Sequence, residues 1–122
     1  MTTESPALFQ LVSLLIESMY RAGHLSSPKT SGALSELAHL MGQHGVQDVK
    51  TQVHKLEYRF GTPEGQNFYE DMKRLFRTMV PFLQKWTQLP SNYEATYQQM
   101  LKEMQEPDFV AAWELLTAWG IK

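Results

Sequence analysis

The chain has no cysteine, so it can build neither a disulfide framework nor a thiolate metal site, and this composition fits a cytoplasmic protein. It also lacks an excess of either charge. Its 11 basic and 13 acidic residues leave a formal net charge of −2 over 122 residues, which gives no electrostatic footprint for nucleic acid or an anionic membrane. Long apolar runs are missing too. The richest one, Leu8 to Ile16, is broken by Gln10 and Ser13 and follows Glu4 instead of a basic segment. It falls well short of the roughly 20 apolar residues of a membrane span and reads as a core helix. The seven glycines form no Gly-x-Gly-x-Gly run and no Gly-x-Ser-x-Gly elbow, and Gly61 to Gly65 is too poor in glycine for a phosphate loop. Of the four histidines, His39 and His44 lie five apart, which turns them off a common helical face, and no HExxH spacing occurs. No metal site is expected.

What is present suits one soluble domain, residues 1–122, with a single core: 43% of residues are hydrophobic and 20% charged. Helices are expected over 5–45. Ser5 suits an N-cap, Pro6 the first helical position and Gly23 the stop. Leu8, Leu11, Val12, Leu15, Met19 and Tyr20 recur at helical spacing, widened by Leu14 and Ile16. Ser26, Ser27 and Pro28 read as a loop, and a second helix is expected from about Gly32 to His44, ended by Gly45. In 46–60 the period changes to two. Leu56, Tyr58 and Phe60 alternate with Glu57 and Arg59, while Val49, Thr51 and Val53 alternate in the opposite parity, so a bulge or two consecutive strand pieces are expected near His54 and Lys55. Thr62 and Pro63 restart a helix, which Pro81 must kink or divide. Ser91 with Glu94 spells a capping box ahead of Tyr93, Tyr97, Met100, Leu101 and Met104, and Pro107 ends that helix. Residues 109–121 are open on physics alone. Phe109, Ala112, Trp113, Leu116 and Trp119 fit a helix; Trp113, Leu115, Thr117 and Trp119 fit one face of a strand.

The segments Gly45-Val46-Gln47-Asp48-Val49, Gly61-Thr62-Pro63-Glu64, Tyr97 to Met104 and Phe109 to Gly120, taken in order, resemble the C-terminal half of class I S-adenosylmethionine-dependent methyltransferases of the small-molecule type. The resemblance covers essentially the whole chain. It implies that 46–60 corresponds to the sixth strand and 109–121 to the seventh, which in that family runs antiparallel into the sheet, and that 62–106 is the helical lid inserted between them. The implied fold is α+β, mainly helical: a two-stranded antiparallel remnant of a Rossmann-like sheet with a lid. The glycine-rich turn and ribose-binding acid that hold S-adenosylmethionine lie in sequence that is absent, so this chain alone is expected to bind no cofactor.

Nine residues are candidates for the wall of a pocket for a small apolar ligand: Tyr58, Phe60, Phe68, Met72, Phe76, Met79, Trp86, Tyr97 and Met100. Methionine and aromatic stripes give adaptable apolar surfaces, although the same spacing also describes plain core. The carboxylates Glu103 and Glu106, or Glu70 and Asp71, read as solvated helix faces, as does the basic group Lys73, Arg74 and Arg77. Two functions follow. One is the substrate-binding and lid portion of a methyltransferase-like protein, truncated and inactive alone. The other is a non-catalytic helical interaction module that self-associates. Trp113, Leu115, Tyr58 and Phe60 would face water in a monomer, so a homodimer is expected around 46–60, the terminal segment and the first helix.

Overall fold

The computed structural model describes residues 1–25 and 32–122. Its elements run β1 (Thr2–Thr3), α1 (Pro6–Arg21), α2 (Gly32–Gln43), β2 (Gln47–Arg59), α3 (Pro63–Thr78), α4 (Val80–Trp86), α5 (Tyr93–Glu103) and β3 (Val110–Ile121). The fold is α+β, with about half of the residues helical.

Most helix boundaries follow from local chemistry. Ser5 accepts from the Leu8 N–H at 3.0 Å and opens α1 with Pro6 in its first turn. Gly23, at φ +86°, turns the chain out of that helix. Thr62 accepts from the Gly65 N–H at 3.0 Å and opens α3 in the same way. Pro81 divides the following stretch as expected, α3 ending at Thr78 and α4 starting at Val80. The loop expected at Ser26, Ser27 and Pro28 lies outside the described residues. One expectation fails: Asn92, not Ser91, stands at the cap of α5, and no side chain caps it. Glu94 is drawn instead to Arg77, a charge-assisted partner that outcompetes the local backbone amide.

The sheet has three antiparallel strands in the order β1-β3-β2, so the two-stranded expectation is corrected. The added strand pairs Thr2 with Ala112 and Thr3 with Ala111; two residues are too few to carry a periodicity. The terminal segment is a strand, with Leu56 opposite Trp113 and Arg59 opposite Val110. Neither the bulge nor the division into two strand pieces expected near His54 and Lys55 is found. Pairing runs without a break from Lys50 to Arg59, and the irregularity falls between Gln47 and Lys50, where Asp48 sits at φ +52°. The parity switch misled because both faces of this part of the ribbon meet water, so apolar alternation does not track the pleat.

The core lies among α1, α3, α4, α5 and the base of the ribbon. Leu8, Leu11, Phe76, Leu83, Met100 and Ala111 are each at most 1% exposed. Buried hydroxyls are satisfied at helix backbones: Tyr93 donates to the Phe76 carbonyl at 2.6 Å, Tyr97 to that of Lys73 at 2.6 Å and Thr87 to that of Leu83 at 2.8 Å. No buried side-chain polar atom is left unpaired among the described residues. No helix among them is long and apolar enough to cross a membrane.

Candidate functional site

The nine candidate wall residues divide by depth. Phe68, Phe76, Tyr97 and Met100 are buried members of the core. Met72 and Met79 are half-buried against it. Tyr58 is half-buried and stacks on Phe68, ring centroids 4.5 Å apart and planes 9° from parallel, which fastens the base of β2 to α3. Trp86 is half-buried beneath the Lys85 ammonium, 5.3 Å from its ring, and Phe60 is exposed. Tyr58 and Trp113 are thus partly covered, while Leu115 and Phe60 do face water. The structure brings together the Met and aromatic stripes of α3 and α5, but as packed interior.

Of these nine, Tyr97 alone lines one of the described cavities. That cavity is an open cleft of about 650 Å³ between α3 and α5, bordered also by Glu70, Lys73, Arg74, Arg77, Gln98 and Leu101. Its electrostatics centre on Arg77, whose two terminal nitrogens donate to Glu94 at 2.6 and 2.7 Å while the guanidinium lies 4.1 Å over the Tyr97 ring. The hydrogen bond from Arg77, helped by Gln98, pulls the Glu94 carboxyl down to about 2 and raises the guanidinium in turn. Desolvation pushes the neighbouring Tyr93 hydroxyl up to about 12. The basic group expected to be a solvated face therefore has one member locked in a bidentate pair.

A smaller groove of about 220 Å³ runs between α1 and α5, with Gln10, Ser13, Glu17 and Thr96 among its lining residues. Below it, Glu103 is not the solvated carboxylate that the sequence implied. Its Oε1 accepts from the Ser5 hydroxyl at 2.7 Å and from the Ala7 N–H at 3.1 Å, so it closes the N-terminus of α1 from the end of α5. Burial opposes its ionisation, but hydrogen bonds from Gln99, Ser5 and the Ala7 amide outweigh this and hold it below the usual carboxylate value. Ser5 and Glu103 are 98 residues apart, and no local signal in the sequence links them.

These groups stabilise ion pairs and helix ends; Glu70, Lys73 and Arg74 share the cleft between α3 and α5, but among the described residues no ion pair joins Glu70 to either and its bonded neighbour is Gln66. Among the described residues no group of three His, Asp or Glu could hold a metal ion. At the junction of β1 and α1, where a strand meets a helix N-terminus, there is no glycine turn, and the Ala7 and Leu8 amides already serve Glu103 and Ser5. No protein-family model matches the chain, and neither a curated protein nor a solved structure gives a significant match to it.

Proposed function

We propose that this chain is the C-terminal, substrate-side portion of a protein like the class I S-adenosylmethionine-dependent methyltransferases, with α3 to α5 as its lid, and that it is inactive alone. The observation that carries this reading is topological. A helical unit, residues 63–103, interrupts the last two strands, and the final strand returns antiparallel between β1 and β2. Beyond Ala112 the edge of β3 next to β1 is unpaired, which leaves room there for the strands of a cofactor half. Two measurements test the reading. Calorimetric titration of the chain alone is expected to give no binding of S-adenosylmethionine; micromolar binding overturns inactivity in isolation. Joined in frame behind the cofactor half of such an enzyme stripped of its own last two strands and lid, the chain is expected to give a folded, cofactor-binding protein. A chimera that stays unfolded sinks the reading.

A second reading, self-association as an interaction module, is favoured by the ribbon itself. Val53 is 57% exposed, Leu115 52% and Trp119 47%, along strands whose edges are open.

A further inference from the structure

We propose that two copies of this chain pair antiparallel along the outer edge of β2, with the twofold axis passing at His54, so that their sheets merge in the order β1-β3-β2-β2-β3-β1. The proposal rests on the self-association reading and supplies its seam.

The ladder shows which peptide groups are free. The Phe60 N–H donates to the Phe109 carbonyl, and these two residues are directly opposite, so even-numbered residues of β2 spend their backbone groups on β3. Odd-numbered residues therefore turn theirs outward. Two other bonds agree. The Arg59 carbonyl is taken by the Thr62 N–H and hydroxyl, away from β3, and the Val110 carbonyl opposite Arg59 faces Glu4, away from β2.

The usable edge has two ends. Arg59 closes one, because its carbonyl is spent and Gly65 packs so close that a Cβ there would collide with that oxygen. The irregularity between Gln47 and Lys50 closes the other. Between them, Thr51, Val53, Lys55 and Glu57 offer N–H and C=O to solvent. An edge used twice about a twofold axis must centre on one residue, and the charges and ends of this window choose it. Centring on Lys55 sets like charges face to face. Centring on Leu56 runs the partner into Arg59, and centring on Val53 wastes a pair on the irregular start. Only His54 bisects the window. Thr51 then faces Glu57 of the second copy, a hydroxyl donor against a carboxylate, and Val53 faces Lys55, whose methylene stem covers it. Each such pair exchanges two hydrogen bonds. The edge is self-complementary, and a second copy is the occupant that meets it.

The absence of cysteine makes the test direct. His54 meets itself as a non-hydrogen-bonded pair, whose Cα atoms lie about 4.5 Å apart, within reach of a disulfide. Under mild oxidation His54→Cys is expected to give a covalent dimer. Gln52→Cys is not, since its two copies would sit about 13 Å apart along the ladder. Val53→Pro removes an outward N–H without breaking a bond to β3, so it is expected to give a monomer in light scattering with an unchanged circular dichroism spectrum. Val53→Ala keeps that N–H and stays dimeric. A monomeric parent chain overturns both this seam and self-association. A parent dimer that survives Val53→Pro, or cross-links no better at 54 than at 52, overturns the seam alone. The cross-linking comparison decides the matter even if Val53→Pro does not fold.

Discussion

The helix α3 and the strand β2 are neighbours in sequence, joined by three residues, yet they hold their shapes by opposite means. One side of α3 is sunk into the core, with Phe68 and Phe76 buried and its polar residues turned out. Apart from half-buried Val49 and Tyr58, every residue of β2 is exposed. The helix is held by burial; the strand is held by its ladder to β3 and by the stacking of Tyr58 on Phe68 at its base. A helix satisfies its own backbone and needs only one covered stripe, whereas a strand depends on a neighbour for every second peptide group. The helical layer therefore satisfies its own backbone, whereas β2, at the end of the sheet order, keeps one edge without a neighbouring strand among the described residues.

Mutations should separate the two regions sharply. Phe76→Ala empties a fully buried site and is expected to cost about 3–5 kcal/mol, whereas Leu115→Ala, on the ribbon, should stay within about 0.5 kcal/mol. Urea titration of both variants checks this, and equal costs would erase the contrast. Next come two glycines with the same close contact in different surroundings. A Cβ at Gly65 would lie 2.6 Å from the Arg59 carbonyl carbon, at a joint fixed by Thr62 and the core. Gly65→Ala should therefore cost roughly 1–3 kcal/mol by overpacking. At Gly120 the obstacles are Val46 Cγ1 and, at 2.7 Å, the Gln47 carbonyl. These sit at the exposed, irregular end of the ribbon, so about 1 kcal/mol and faster amide exchange confined to 46–50 and 118–121 are expected.

Glu103→Gln should cost roughly 1–2 kcal/mol through the start of α1. It also carries a pH signature. The folded value of the Glu103 carboxyl lies below its ordinary 4.5, so its contribution is present above that pH and lost as pH falls through the folded value. In Glu103→Gln the acid limb of the stability profile should be correspondingly flatter. The smallest effect is expected at the exposed pair. Carbon-detected NMR titration should place the Glu94 midpoint near 2, and Arg77→Met should return it toward 4.5 with little change in melting temperature.

Sequence and structure agree where a signal is local. Ser5 with Pro6, Thr62 with Pro63, and Pro81 set helix boundaries by chemistry acting within one turn, and each is used. The helix spacing of Phe68, Met72, Phe76 and Met100 was equally readable, but periodicity reports which side is covered, not whether the cover is protein or ligand; here it is protein. Long-range pairings left no trace. The capping box at Ser91 was lost to an arginine 17 residues upstream of Glu94, and the role of Glu103 depends on Ser5, far earlier in the chain. Strand β1 is too short to announce itself, and the ribbon's pleat is obscured because water touches both its sides.

The position of β3 has a consequence for synthesis. Of the three strands, the one in the middle of the sheet is synthesised after both of its neighbours, and it follows β1 by more than a hundred residues. Until residues 110–121 emerge, β1 and β2 have no partner in this chain, and β2 waits with both edges open while the helices can already form and pack. Among the three strands β3 thus acts as a keystone set last, and until it arrives the peptide groups of β2 have no strand of this sheet to pair with.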